Sequence, residues 1–348
     1  MRGYDVSTFI SPYEKNSNIS LKQTELTLRG RLRIAEEGIN GTVEGLKSDI
    51  VAYKRFLDSS EYFDNIDFKT SRNRTSRAAF ASLKVTYTKE LVTLGKPLSE
   101  ISQERGTHLK PAEFHSFLKT HSDCDDFILL DVRNGYESKI GHFKNAVRPP
   151  IRNYQAFPRW VEKNIDMLKS KKAVAMYCTG GIRCETASAV LRSRGVKGHV
   201  VQLSGGIHRY LESFPGSKSL YLGKNFVFDA RRTDGLIGKG SVGRCDRCGV
   251  QHDEYFDETQ SKERICCHIC KVLVLICPSC ENSKMPFYCD EHAVWRSAST
   301  EWVEKRISSL HVELKRLQKT LKKDRERSIK SVHKDLEYCE AWLRNYSS

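Results

Sequence analysis

Along the first hundred residues, hydrophobic and polar positions alternate in short stretches whose period changes several times. Residues 29–35 (RGRLRIA) alternate as a strand does, and the glycine- and asparagine-containing turn at 36–41 predicts that this strand opens a hairpin. Apolar residues then recur at helical spacing over 48–57, and strand-like alternation returns over 80–87. This order of elements predicts a small α+β sandwich over residues 1–96.

The middle of the chain contains continuous apolar runs of strand length, as expected of strands buried on both faces of a parallel sheet. Two such runs occur, at residues 127–132 and 173–177, and a third strand is predicted at 199–203. Helical segments between them are predicted to begin near Pro111, which suits a first helical turn, and near Cys184. We therefore predict a linker over 96–106 and an α/β domain over 107–235.

The last third of the chain is poor in glycine and proline and changes character once more. Residues 243–295 are rich in cysteine and histidine, and neither glycine nor proline follows Ala293. Apolar residues then recur three and four positions apart: Val303, Ile307, Leu310, Leu314, Leu317, Leu321, and after a phase shift Ile329, Val332, Leu336, Cys339, Leu343. Residues 299–346 are thus one long amphipathic helix or a helical hairpin, packed on its own chain or self-associating with a second copy.

The predicted architecture is an α/β domain with a parallel sheet, preceded by a ferredoxin- or acylphosphatase-like α+β domain and followed by a metal-binding module and C-terminal helix. No apolar run approaches the roughly 18–20 residues that span a bilayer. The first twenty residues lack the basic start and apolar core of a signal peptide. We therefore expect a cytoplasmic protein without a membrane partner.

The formal net charge of +15 is unevenly distributed. Residues 146–235 carry sixteen Lys and Arg against six Asp and Glu, so much of the excess surrounds the middle domain. The basic face is predicted near Arg148, Arg152, Arg159 and Arg231. Such a field attracts polyanions, tRNA among them, although a solvated basic surface without a specific partner has the same composition.

Twelve cysteines in a cytoplasmic chain require an explanation other than disulfides, which are rare there. Eight of them lie between Cys245 and Cys289, and most of these fall in pairs spaced as in zinc knuckles. The four pairs are Cys245 and Cys248, Cys267 and Cys270, Cys277 and Cys280, and Cys289 and His292. Eight ligands make two tetrahedral sites, whose pairs are shared either sequentially or in an interleaved, cross-brace order.

Zinc in two closed structural sites is the predicted cofactor, because no ligand position is left for water. An iron–sulfur centre is the alternative, and it would supply electrons. Cys266 is an alternative ligand to its neighbour Cys267, whereas His252 and His268 are not expected to bind.

The chemistry of the middle domain is predicted at Cys178, which follows the second buried strand directly. Open α/β sheets bind ligands at the carboxyl ends of their strands. The next residues, Thr179, Gly180, Gly181, Ile182 and Arg183, are predicted to curl so that their amide N–H groups face one point. Such a nest, together with the start of the next helix, stabilises a thiolate, a persulfide or a bound oxyanion. Arg183 adds a permanent charge and a planar fork to orient an anion.

The spacing within this loop favours sulfur over phosphate. Cysteine-dependent phosphatases place their arginine six positions after the nucleophile, whereas Arg183 follows Cys178 by five. The tighter cradle suits a sulfane sulfur better than a phosphoryl group. A buried structural thiol, the alternative for a strand-end cysteine, does not require the glycine pair and the arginine.

The middle domain resembles rhodanese domains. Residues 131–137 (DVRNGYE) with 141–146 (GHFKNA) are similar to the first rhodanese motif, and 203–207 (LSGGI) to the segment that closes the domain. This resemblance implies the rhodanese fold with Cys178 as nucleophile or persulfide carrier.

More narrowly, the chain resembles the rhodanese subfamily of tRNA uridine hydroxylases, which make 5-hydroxyuridine at the wobble position. The similarity spans roughly residues 28–280 and is strongest at 30–42, 177–185 and 226–229. It implies an N-terminal acylphosphatase-like domain, oxygen-dependent hydroxylation of a tRNA uridine and an essential Cys178. Before Thr27 the sequence departs from the family's first strand and long first helix, and the cysteine-rich region resembles that of eukaryotic members.

Hydroxylation itself follows from the resemblance, since the sequence has no flavin fingerprint or facial-triad pattern for catalysis. Two alternatives remain from the residues. One is a sulfurtransferase that passes sulfur from Cys178 to cyanide or a thiol and needs no RNA. The other is a non-catalytic interaction protein that uses its zinc knuckles and C-terminal helix, against which the intact Cys178 and Arg183 argue.

Overall fold

The computed structural model describes residues 2–5, 26–59, 66–70, 78–95, 104–228, 233–255, 265–282, 285–318 and 325–346. The chain divides into two compact units, one of residues 1–244 with 251–254 and the other of residues 245–250 with 255–348. Within the described residues, no helix is both long enough and apolar enough to cross a membrane.

In its described residues, the N-terminal part of the first unit is a five-stranded sheet with one helix packed on it. Its elements in chain order are β1 (Arg2–Asp5), β2 (Arg29–Ala35), β3 (Gly38–Glu44), α1 (Lys47–Asp58), β4 (Lys69–Thr70) and β5 (Leu83–Tyr87). The strand order is β4-β1-β3-β2-β5, with β2 and β3 antiparallel as the predicted hairpin requires. The turn is shorter than the predicted 36–41, because β3 begins at Gly38 and pairs there with Ala35. Apolar residues of β2, β3 and α1 form the core of this domain.

The family's first strand and first helix are expected from the sequence to be altered before Thr27, and strand β1 lies in this region. It pairs with both β3 and β4, so a first strand is present. The segment in which the first helix was expected to be altered, residues 6–25, lies outside the described residues.

The second part of the first unit is an α/β domain built on a four-stranded parallel sheet of order β6-β10-β9-β7. Its elements are β6 (Thr107–Leu109), α2 (Pro111–His121), β7 (Phe127–Asp131), α3 (Gly135–Lys139), β8 (Gly141–Phe143), α4 (Phe157–Lys163), α5 (Ile165–Lys169), β9 (Ala173–Tyr177), α6 (Ile182–Ser193), β10 (His199–Leu203) and α7 (Gly206–Ser213). All five residues of β9 are buried, which explains its uninterrupted apolar sequence.

Two differences from the predicted elements affect this domain. Helix α6 begins at Ile182, two residues before the predicted start, so Arg183 lies within the helix. Strand β6 was not predicted, because three residues are too few to show a period. A small antiparallel sheet, β12-β11-β8, completes the unit with β11 (Tyr221–Phe226) and β12 (Thr233–Ile237). Of the predicted linker, residues 96–103 lie outside the described residues.

The second unit is a cysteine-rich module followed by two helices. Its helices are α8 (Pro278–Glu281), a 3₁₀ helix at Asp290–Ser297, α9 (Thr300–Gln318) and α10 (Arg325–Tyr346). Of the two predicted forms of the C-terminal segment, the structure has the hairpin. Val303 and Leu310 of α9 are buried in one core with Val332 and Leu336 of α10 and with the module's Cys267. These apolar positions therefore pack on their own chain; Leu321 lies outside the described residues.

The predicted fold class is confirmed in the described elements: an α+β domain, an α/β domain with a parallel sheet and a C-terminal helical segment are all present.

Candidate active site and metal-binding groups

Cys178 lies at the carboxyl edge of the parallel sheet, immediately after β9, and is fully buried. The chain turns at Gly181, which has a left-handed φ of 102° and forms the N-cap of α6. This turn directs the Gly181 amide at the Cys178 Sγ, with an N···S distance of 3.0 Å. Of the amides predicted to face the sulfur, that of Gly181 does so in this geometry.

The carbonyl groups of the loop point away from the sulfur and are hydrogen-bonded outside it. The amides of Ile207 and His208, at the start of α7, donate to the carbonyls of Cys178 and Thr179 at 3.0 and 3.2 Å. This approach requires glycine at position 206, where a Cβ would lie 2.6 Å from both of those carbonyl oxygens. The 203–207 segment therefore helps to hold the loop in shape.

The surroundings of Cys178 favour its thiolate. Burial raises the pKa of the thiol, but a hydrogen bond from Cys184, the charge of Arg183 and the amides of Arg183 and Gly181 together lower that pKa to about 5. The pKa of Cys184 is raised well above its usual range by burial and by the neighbouring Cys178. The pair therefore has one thiolate, at Cys178, and one thiol donor, at Cys184.

Arg183 is positioned by a residue that sequence reasoning did not select. Its Nη1 and Nη2 donate to Oε1 and Oε2 of Glu137, each at 2.7 Å, and the Glu137 side chain is fully buried. Nη2 also lies 3.2 Å from the Thr179 hydroxyl oxygen. The planar fork expected to receive an anion is thus engaged by a carboxylate, and Arg183 acts on the loop as a fixed charge.

The local sequence of Glu137 predicts its capping role but not its contact with Arg183. Glu137 stands at the third position of α3, where its carboxylate also accepts from the Asn134 amide in a capping box.

A second neighbour of Arg183 is Phe228, whose ring centre lies 5.5 Å from the guanidinium carbon and whose side chain is 56% exposed. Phe228 belongs to the 226–229 stretch of the predicted resemblance, of which Asp229 lies outside the described residues.

The predicted basic face is partly described. Arg148, Arg152 and Arg159 are exposed. Arg148 follows Val147, which bridges to Leu130 near the carboxyl end of β7, the edge at which Cys178 lies. Arg231 lies outside the described residues.

The eight predicted metal ligands form two groups, each with its ligand atoms within 4.8 Å of one another. One group is Cys245, Cys248, Cys277 and Cys280; the other is Cys267, Cys270, Cys289 and His292. The pairs are therefore interleaved, first with third and second with fourth, which spacing alone had left open. Cys267 belongs to a group, whereas Cys266 does not.

The distances in both groups fit a tetrahedral ion. Sulfur atoms of Cys248 and Cys277 are 3.6 Å apart and those of Cys270 and Cys289 3.7 Å. A tetrahedron with zinc–sulfur bonds of about 2.3 Å has edges of about 3.8 Å. Either group could hold a metal ion without rearrangement.

Comparison with known proteins agrees with this architecture. The UPF0176 acylphosphatase-like domain matches residues 3–91, and the rhodanese-like domain matches residues 115–213. The chain is 36% identical over 270 residues to a tRNA uridine(34) hydroxylase of Prochlorococcus marinus, covering 74% of this chain and 85% of that protein. It is 41% identical over 213 residues to the tRNA uridine(34) hydroxylase of Legionella pneumophila, covering 61% and 81%.

A plant relative and a solved structure extend the comparison. Rhodanese-like domain-containing protein 6 of Arabidopsis thaliana is 37% identical over 305 residues, which cover 82% of this chain but only 50% of the plant protein. The rhodanese-like domain of an Anabaena protein, solved by NMR, is 24% identical, with a TM-score of 0.26, and covers 30% of this chain and 74% of that domain.

Proposed function

Because this chain belongs to the tRNA uridine(34) hydroxylase family, we propose that it is an enzyme that hydroxylates C5 of the wobble uridine of tRNA with Cys178 as its essential residue. The reaction is oxygen-dependent, and its partner is tRNA. We propose the cytoplasm as its location, because none of the twelve cysteines, all of them within the described residues, forms a disulfide, as is usual in a reducing compartment.

The observation that carries the proposal is the activated Cys178 in its closed cradle. A sulfur with a pKa of about 5 is a thiolate at neutral pH, and the Gly181 amide stabilises it at 3.0 Å. An inert core cysteine has neither feature, since burial alone raises a thiol's pKa. Thr179, Gly180, Gly181, Ile182 and Arg183 form the cradle, in which the backbone amides and the fixed charge of Arg183 stabilise negative charge at the reacting sulfur.

Two further features support tRNA as the substrate. Exposed Arg148, Arg152 and Arg159 supply positive charge for phosphates. Phe228 offers an exposed aromatic face beside Arg183, and a base lifted out of an RNA strand stacks well on such a face. We propose that the arginines position the anticodon stem and loop and that Phe228 receives the uracil.

We propose zinc for both cysteine-rich groups, as structural ions. Seven thiolates and one imidazole are ligands of the kind that zinc prefers, and each group already supplies four of them. The bound ions would stabilise a module whose core includes the ligands Cys245, Cys267, Cys277 and Cys289 themselves.

Sulfur transfer is the second candidate, because the same cradle would hold a persulfide on Cys178. The two functions differ in their need for RNA, so the first experiment measures both tRNA binding and the turnover of thiosulfate and cyanide on the full-length protein. The hydroxylase proposal predicts tRNA binding that weakens steeply with salt, and a shallower salt dependence after Arg148→Ser and Arg152→Ser. Turnover of thiosulfate and cyanide with no measurable affinity for tRNA would instead favour the sulfurtransferase.

A further inference from the structure

Lys69, on the short strand β4 of the N-terminal domain, reaches the active loop of the rhodanese domain. Its Nζ donates to the carbonyl oxygen of Gly180 at 3.1 Å, across 111 positions of sequence. The Lys69 side chain is only 8% exposed, so this contact is made away from bulk water. Both residues belong to the same compact unit.

The contact bears on Cys178 through a single peptide group. The carbonyl of Gly180 and the amide of Gly181 belong to one planar unit and point in opposite directions. The carbonyl accepts from Lys69, and the amide donates to the Cys178 Sγ at 3.0 Å. Orienting one end of this unit therefore orients the other, and a positive charge at the carbonyl strengthens the amide as a donor.

The other loop carbonyls obtain their partners within the rhodanese domain. Those of Cys178 and Thr179 accept from amides of α7, and that of Gly181 accepts from the Cys184 amide at 3.0 Å. Within the described part of the chain, the Gly180 carbonyl is thus the one in this loop that another domain holds.

Lys69 is itself held in place by a partly buried ion pair and a second cation. Its Nζ lies 2.5 Å from Oδ2 of Asp67, whose Oδ1 accepts from Nε and Nη2 of Arg209 at 3.2 and 2.7 Å. Burial raises the pKa of Asp67, but Lys69 and Arg209 outweigh it and lower that pKa, so the carboxylate is charged. Arg209 is on α7, the helix that also binds the loop carbonyls. Lys69 is therefore linked to the rhodanese domain twice, directly at the Gly180 carbonyl and through Asp67 at Arg209.

We propose that Lys69 is a positioning residue, by which the acylphosphatase-like domain fixes and polarises the Gly180–Gly181 peptide and so stabilises the Cys178 thiolate. The N-terminal domain then completes the active loop in addition to any part it has in binding RNA. This inference goes beyond the proposed function, because it concerns the reactivity of Cys178 towards any acceptor.

The test is the pH dependence of the Cys178 thiolate in the full-length protein. The ultraviolet absorbance of the thiolate is measured for each protein and for the same protein carrying Cys178→Ser. Subtracting the second from the first removes the absorbance of the other thiols. The groups that face Cys178 are unchanged in every variant compared: Arg183 with its partner Glu137, Cys184 and the Tyr154 hydroxyl. Lys172→Met is the matched control, since Lys172 is exposed and pairs with Asp126.

Lys69→Met should raise the pKa of Cys178 from about 5 to about 6, the size expected of one hydrogen bond to a charged group. Lys69→Arg, which keeps a cationic donor, should restore most of the difference, and Lys172→Met should change nothing. A native circular dichroism spectrum with an unchanged Cys178 pKa in Lys69→Met would overturn the inference. If that variant does not fold, Lys69→Gln takes its place with the same two outcomes. The titration measures neither tRNA hydroxylation nor tRNA binding, so failure of the hydroxylase proposal leaves this result intact.

Discussion

The carboxylate of Glu137 holds the guanidinium of Arg183 by two hydrogen bonds of 2.7 Å each, with both side chains almost wholly buried. The two residues are 46 positions apart and join α3 to the first turn of α6. The pair explains how an arginine is fixed beside Cys178. It also makes Glu137 as necessary to the loop as Arg183.

Glu137→Gln should destabilise the protein strongly, because it leaves the Arg183 charge buried without a counter-charge. Breaking one partner of a buried ion pair costs about 3–5 kcal/mol. Urea unfolding measures this loss of unfolding free energy, and Glu162→Gln is the control. Glu162 pairs with Arg194 near the surface, where losing an ion pair costs about 1 kcal/mol or less. Equal losses of unfolding free energy in the two variants would contradict the structural role of Glu137.

Cys184→Ala should move the Cys178 titration to higher pH. Because the folded pKa is depressed to about 5, the thiolate is present above that pH and is lost as the pH falls through it. Removing the Cys184 donor weakens this stabilisation, so the midpoint of iodoacetamide reactivity against pH rises. Cys124→Ala, which removes an exposed thiol, should leave this midpoint unchanged. A midpoint unchanged by Cys184→Ala would show that the neighbouring thiol does not hold the thiolate.

Gly206→Ala should disrupt the active loop, and Gly216→Ala provides a control with the same backbone strain. Both glycines have a left-handed φ, 65° and 59°, so either alanine costs about 1–2 kcal/mol. Only at Gly206 would the new Cβ also strike the loop, 2.6 Å from the carbonyl oxygens of Cys178 and Thr179. Gly206→Ala should therefore lose Cys178 reactivity at least about tenfold, while Gly216→Ala retains it. Comparable reactivity in both would refute the close contact.

The purified protein should contain two zinc ions per chain, one for each ligand group. Cys267→Ser should lower the measured metal content by one ion, and Cys266→Ser should leave it unchanged, because only Cys267 lies in a group. Chelation should also unfold the second unit before the first, as metal binding provides part of its folding free energy. Iron with visible absorbance in place of zinc would contradict the structural role.

How much of this could be predicted from the sequence depends on how local each feature is. The position of Cys178 followed from an apolar strand and a glycine-containing turn, both within ten residues. The four ligand pairs were equally visible, but their interleaving was not, since any two knuckles can share an ion. Lys69 and Glu137 could not be matched to the loop, because their partners lie 111 and 46 residues away.

The central claim is tested most directly by the nucleosides of tRNA from cells that lack this protein. They should be compared with the tRNA nucleosides of cells restored by the wild type, by Cys178→Ser or by Cys124→Ser. Cys124 is the control because its thiol is exposed and precedes β7. The account predicts that a nucleoside derived from 5-hydroxyuridine disappears on deletion and returns with the wild type and Cys124→Ser, but not with Cys178→Ser. Unchanged tRNA nucleosides on deletion, or full recovery with Cys178→Ser, would contradict it.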